Sequence, residues 1–372
     1  MLSYWEKKYF LSDVDYFIIG SGIVGLTTAI FIKKKAPKAK VIILERGTLP
    51  NGASTKNAGF ACFGSLSEIL DDASKHNLDY AINLVEKRWE GLNALKKLIP
   101  EKHFDIKNYG GYELFTSSAH DKKVFEHCSE NITVINKRLK FIGKNVFESS
   151  DKSIKRFGFE KTNHIIKNNY EAQINTGKLA LSLLQKAHDL GVVIFNNVEV
   201  KSLTNNGEIT TNIGDFSFKK VIVCTNGFAK KLLPKLDVNP ARAQVLITKP
   251  IKNLKLKGTF HYDKGYYYFR NIDDRVLFGG GRNLDFKGET TDELALTKQI
   301  QQQLEKLLKE VILPNTPHEV DMRWAGIMGV GNSKETIIKP LSKNIFCAVR
   351  MGGMGVAIGT LVGKEAAKMV VE

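Results

Sequence analysis

The sequence predicts an α/β fold in which a helix-covered parallel sheet is interrupted by a β-rich antiparallel part. Three observations carry that expectation. A short apolar strand at 15–19 runs into a glycine loop, a helix and a second apolar strand at 41–44. A further strand, glycine loop and helix unit stands at 344–371. Between them, runs at 266–270 and 275–279 flank Asp273-Asp274, the pattern of an antiparallel hairpin.

The first unit is the most specific. Gly20, Gly22 and Gly25, with Ser21, Ile23 and Val24 between them, form G-x-G-x-x-G, and Glu45 follows the second strand twenty residues after the third glycine. Gly20 permits the turn off the strand, Gly22 admits a pyrophosphate, and Gly25 lets helix and strand pack closely. The phosphates then meet free N–H groups at the positive end of the helix. A carboxylate at Glu45 accepts hydrogen bonds from a ribose 2′-OH and disfavours a 2′-phosphate. The fingerprint therefore points to FAD or NAD without choosing between them.

Size and composition set the frame. At 372 residues the chain exceeds a usual single core, so two domains are expected. Hydrophobic content of 43% and charged content of 25% suit a globular protein and exclude disordered and fibrous classes. The apolar stretch 16–32 is interrupted by glycines and reads as strand, turn and helix, so no integral membrane segment is expected. Residues 1–10 hold Glu6, Lys7 and Lys8 with no small-residue cleavage pattern, so a signal peptide is not expected. Cys62, Cys128, Cys224 and Cys347 are widely spaced, which points away from disulfides and metal and toward a cytoplasmic protein. The net charge of +16 comes from scattered lysines, read first as a solvated surface and second as an anionic contact, and no nucleic-acid partner is expected.

The remaining elements follow in order. Pro37 closes the first helix. The segment 52–59 is built of small residues, so backbone can approach something bulky. Ile82, Val85, Trp89, Leu92 and Leu95 recur at helical spacing within 78–99, up to Pro100. A strand is expected at 110–115, a polar helix at 121–140, a helix from 175 to near Gly191, and strands at 192–195, 219–227 and 245–248. The closing helix is expected at 360–371. On the strand 266–270, Tyr266 and Tyr268 share one face and Tyr267 takes the other.

These motifs, taken in order, resemble the D-amino-acid-oxidase-like flavoproteins, which include glycine oxidase, sarcosine oxidase and the γ-glutamylputrescine oxidases. The carriers are Ser3-Tyr4-Trp5-Glu6, the loop 20–25, Glu45-Arg46, the segment 52–59, Gln173-Ile174-Asn175, Tyr268-Phe269-Arg270, the run 274–280, Trp324-Ala325-Gly326 and Gly353-Met354-Gly355-Val356. The resemblance implies FAD, expected to be non-covalent because 329–340 lacks the cysteine through which some sarcosine oxidases hold flavin, and a discontinuous Rossmann-like FAD domain at 1–100, 150–235 and 320–372. The substrate domain is then 101–149 and 236–319. Carried over residue by residue, the loop 20–25, Glu45 and Arg46 hold the ADP half, and Val198 faces the adenine. Ser54, Asn57, Ala58 and Gly59 lie by the pyrophosphate and flavin, and Gly352, Gly353, Met354, Gly355 and Val356 approach the isoalloxazine; Thr225, Asn226 and Gly227, the small residues that end the strand 219–227, are expected beside the cofactor from their place in the chain. The implied activity is oxidation of the C–N bond of an amino acid or amine by hydride transfer to flavin N5, with O2 or another acceptor reoxidising the flavin. A binding or redox module of the same fold is the alternative.

One departure bears on substrate. Where many relatives continue from the Trp-x-Gly motif to an arginine, this chain has Ile327-Met328-Gly329. Arg270 and Arg350 are the replacements considered for a substrate carboxylate, each against a structural ion pair, Asp273 or Asp274 serving for Arg270. Tyr268 is the candidate phenol at the substrate, against plain aromatic packing.

Overall fold

The computed structural model describes residues 3–205 and 207–372. Two large sheets organise the chain. A six-stranded sheet runs in the order Ile337–Pro340, Ile345–Val349, Lys220–Val223, Tyr16–Ile19, Val41–Leu44, Val193–Phe195, and only its first pair is antiparallel. Its strands are apolar on both faces because both are covered. Ile18 and Ile43 point to a helix layer that includes Leu26, Ile30, Leu92 and Val362. Phe17, Ile19 and Ile42 point the other way, to Ile209 and Phe216 of a three-stranded meander.

The second sheet has eight strands, in the order Val320–Val330, Asn239–Thr248, Arg275–Gly280, Tyr267–Ile272, Thr259–Tyr262, Gly111–Thr116, Thr162–Asn168, Phe147–Ser149. It is antiparallel except where Thr259–Tyr262 runs parallel to Gly111–Thr116. The hairpin turns at Asp273-Asp274, with Ile272 opposite Arg275. Alternation sorts the tyrosine strand: Tyr267 and Phe269 enter an aromatic core with Phe260 and Phe278, and Tyr268 faces the opposite side. Thr162–Asn168 and Val320–Val330, assigned from sequence to the FAD segments, are hydrogen-bonded into this sheet instead. Their long antiparallel ladders outweigh their place in the chain.

The closing helix spans Gly355–Val371, starting earlier than its glycines suggest. Packing explains the difference. A Cβ at Gly363 would overlap Thr27, and one at Gly91 would overlap the carbonyl of Ala357. Those glycines let Gly355–Val371 lie directly on the helices Ile23–Lys35 and Leu78–Leu98, and the contact outweighs weak intrinsic propensity. No helix among the described residues is long and apolar enough to cross a membrane.

Candidate active site

The loops leaving the parallel sheet meet the open face of the second sheet around a cavity of about 580 Å³. Gly20 turns the chain off the first strand at φ +99°, its N–H donating to the Leu44 carbonyl at 2.8 Å. A Cβ at Gly25 would collide with the Gly20 carbonyl, so this position packs helix on strand and does not line the wall. Ser21 is also behind the wall. It is fully buried, and its N–H and hydroxyl donate to Glu45 Oε2 at 3.0 and 2.7 Å. The Gly47 N–H donates to Glu45 Oε1 at 2.9 Å. The carboxylate is thereby aimed at the cavity, with lone pairs left for a ribose hydroxyl.

Arg46 and Val198 line the same region, the Arg46 guanidinium lying 3.8 Å from the Phe228 ring centroid. The Val198 N–H holds the Glu45 carbonyl at 2.9 Å. Ile23 and Val24 open their helix at the wall. Ser54 Oγ accepts from the Ile23 N–H at 2.9 Å, tying the segment 52–59 to that helix start. Asn57 shapes the segment, its amide donating to the Ala53 and Ser54 carbonyls and accepting from the Gly59 N–H. Asn57, Ala58 and Gly59 all reach the wall.

A second helix start faces the cavity from the other side. Gly352, Gly353, Met354, Gly355 and Val356 line it, and Met354 caps its helix without a side-chain bond. Asn226 Oδ1 accepts from the N–H groups of Arg350 and Met351, both at 3.1 Å, and so holds this loop. Thr225 and Asn226 line the cavity, but Gly227 does not. A Cβ there would strike the Met328 carbonyl, so Gly227 is a packing glycine against Val320–Val330.

The three candidate catalytic side chains separate. Tyr268 lines the cavity, its ring edge-on to Phe60 at 5.8 Å, and burial raises its phenol to about 12. Arg270 lies behind Gly59, at 3% exposure, with Nε lacking a hydrogen-bond partner and burial drawing its pKa down to about 10. Arg350 is structural, which corrects its reading as a carboxylate clamp. It forms an ion pair with Asp237, Nε donates to the Glu335 carbonyl at 2.8 Å, and Nη2 donates to Ser333 Oγ at 3.0 Å.

Among the other polar side chains of the cavity wall that were missed from sequence, three bear on the substrate. His261 lines the wall while its Nε2 meets Glu171 Oε1 at 2.7 Å. Glu68 caps its own helix, accepting from the Ser65 N–H at 3.2 Å, and approaches Gly265. Arg282 is only partly buried, burial lowers its pKa, and its Nε has no hydrogen-bond partner. The one available signal was the run Gly279-Gly280-Gly281 directly before Arg282, which thins the wall beside a cation.

The wall suits FAD on its own geometry. It offers two helix starts for phosphate oxygens, a carboxylate for ribose, and a long apolar course past Ala58, Val245 and Ile327 for the ring system. The family model described as FAD dependent oxidoreductase matches residues 15–369. The chain belongs to that family. FAD is accordingly its cofactor, and this oxidoreductase is an enzyme built on the family's two-sheet fold. Among curated proteins none matches its sequence. Among solved structures it is similar to glycine oxidase from Bacillus cereus (TM-score 0.76, 15% identity, covering 96% of this chain and 95% of that one). It is likewise similar to L-proline dehydrogenase from P. horikoshii (0.75, 19%, 96% and 93%) and iminodiacetate oxidase from Chelativorans sp. (0.74, 20%, 96% and 95%). At these identities the likeness is one of fold.

Proposed function

We infer that this FAD-dependent oxidoreductase oxidises the C–N bond of a zwitterionic amino acid or a carboxylate-bearing amine. One observation carries the reading: Arg282 reaches the cavity with an unpartnered Nε, whereas Arg350 is consumed by Asp237, Ser333 and Glu335. A guanidinium offers a carboxylate the bidentate fork that lysine lacks.

Glu68 supplies the opposite charge. Its carboxyl approaches Gly265, the Tyr266 carbonyl accepts from the Gly281 N–H at 3.0 Å, and Arg282 follows. One short stretch of wall thus carries a carboxylate for an ammonium and a guanidinium for a carboxylate. Glycine, L-proline and iminodiacetate, the compounds that give the neighbours their names, each combine those two groups.

When bound, FAD would supply the hydride acceptor for the carbon that bears the nitrogen. The chain orients that carbon. Arg282 and Glu68 fix the two ends, and the protonated Tyr268 phenol donates a hydrogen bond from the sheet. Phe60, Met328 and Met354 keep water from the reacting carbon. FAD is held without a covalent bond on this reading, since burial holds the Cys62 thiol well above its ordinary value. O2 or another acceptor then completes turnover. The FAD segments and substrate segments form two domains, and the four unpaired cysteines suit a cytoplasmic site of action.

The test compares an amino acid with its amide. Arg282→Ala should raise KM for the acid about 10- to 100-fold, the worth of a charge-assisted hydrogen bond, and leave the amide and flavin content unchanged. Equal effects on acid and amide would remove Arg282 from the carboxylate site. Absence of turnover in the wild type with every amine would favour a redox or binding module.

A further inference from the structure

Of the segment 3–11 only its end reaches the core, where Leu11 packs beside the meander and the Phe10 ring lies 6.4 Å from that of Phe195. Its short helix Glu6–Leu11 buries no residue, and Tyr4, Trp5, Tyr9 and Phe10 are 63%, 63%, 60% and 49% exposed. Rings grouped this way on a surface mark a contact site. Cations accompany them. Lys8 Nζ lies 5.3 and 5.6 Å from the ring centroids of Tyr4 and Tyr9, and Lys40 Nζ donates to the carbonyls of Tyr9 and Ser12 at 2.9 and 2.7 Å. Lys33 extends the basic surface through its bond to the Ala39 carbonyl at 2.9 Å.

The position of this face in the fold leaves the cavity free. Asp15, Lys40 and Lys219 precede three adjacent parallel strands, and the Asp15 carboxylate bonds the Lys40 N–H and Lys219 Nζ, both at 2.9 Å. The cofactor loops leave the other ends of those strands. None of the residues 3–11 lines the cavity, so a surface engaged by Tyr4, Trp5 and Tyr9 leaves its wall uncovered.

We propose that this face docks the protein peripherally on an anionic lipid surface. Tyr4, Trp5 and Tyr9 sit at headgroup depth, where aromatic rings with polar edges are favoured, and Lys7 and Lys8 face lipid phosphates. Charge complementarity selects this occupant, since the chain carries +16 overall. A second copy of the chain would bring like-charged lysines together across a two-fold interface. Nucleic acid is also disfavoured, because bases stack on ring faces. Here Trp5 and Tyr9 stack on each other at 5.9 Å, Tyr4 meets Trp5 edge-on at 5.2 Å, and Lys8 Nζ lies over one face each of Tyr4 and Tyr9, so faces that bases would need are already engaged.

The experiment is flotation of the FAD-loaded full chain with vesicles of phosphatidylcholine alone or mixed with phosphatidylglycerol. Retention is expected only on the mixed vesicles, reduced about tenfold by roughly 0.5 M salt. The doubles Trp5→Ser/Tyr9→Ser and Lys7→Glu/Lys8→Glu should each lose at least about tenfold in retention while keeping full flavin content, because neither pair touches the cavity. Three results would overturn the proposal. They are no retention on mixed vesicles, retention unchanged in the ring double, or rings needed instead for oligonucleotide binding or for a dimer seen by sedimentation.

Discussion

His261 Nε2 lies 2.7 Å from Glu171 Oε1, with both side chains buried and the imidazole forming part of the cavity wall. Burial alone disfavours the imidazolium, but the charge and hydrogen bond of Glu171 outweigh it and raise His261 from 6.5 to about 9. A pKa raised by folding stabilises the fold fully below the unfolded value and ceases to do so above the folded one. The contribution of this pair is thus complete below pH 6.5 and lost as pH climbs through about 9. Thermal midpoints of the wild type should fall across that window. Glu171→Gln should flatten the fall and, near pH 6, cost about 3–5 kcal/mol, the usual cost of stranding one member of a buried pair. Parallel pH curves for the two proteins would contradict the pairing.

Arg350→Ala should behave as a stability mutation. The side chain ties Asp237, Ser333 and Glu335 to the second glycine loop and sits at φ +68°. Its removal is expected to cost about 2–4 kcal/mol, less than a fully buried pair because Asp237 is partly exposed. Flavin occupancy should drop with it, and KM for substrate in the loaded fraction should not move. A raised KM at full occupancy would return Arg350 to the substrate.

Two glycines of one loop are predicted to fail differently. At Gly22 a Cβ meets only the Ser54 hydroxyl, at 2.8 Å, so Gly22→Val should fold and lose FAD. At Gly25 the obstacle is the Gly20 carbonyl, which cannot step aside, so Gly25→Ala should destabilise the apoprotein itself. Flavin absorbance and apoprotein melting, measured together, separate the two. Normal flavin content in Gly22→Val would contradict the pyrophosphate path.

The cofactor half was legible in the sequence because strand, glycine loop, helix and acid follow one another within 15–45, where spacing maps directly onto geometry. Ser21 shows the limit of that reading. It belongs to the motif, yet its work is to orient Glu45 from behind the wall. The substrate half depended on register across eight strands. His261 stands beside Tyr268 because Thr259–Tyr262 pairs with Tyr267–Ile272, and it meets Glu171 from a distant part of the chain. Nothing local in 259–262 announces that. Arg350 and Arg282 look alike as isolated arginines, and only tertiary partners divide a structural tie from a guanidinium that lies over Phe286 with its Nε unbonded among the described residues. The two strands found in the second sheet make the same point, since they pair there with strands more than forty residues away.

The most direct test of C–N oxidation is anaerobic mixing of the FAD-loaded protein with a panel of amino acids and N-substituted amines, followed at about 450 nm, the oxidised-flavin band. At least one carboxylate-bearing amine should bleach that band, and Arg282→Ala should need about 10- to 100-fold more of it to do so. A flavin that stays oxidised with every member of the panel would contradict the assignment.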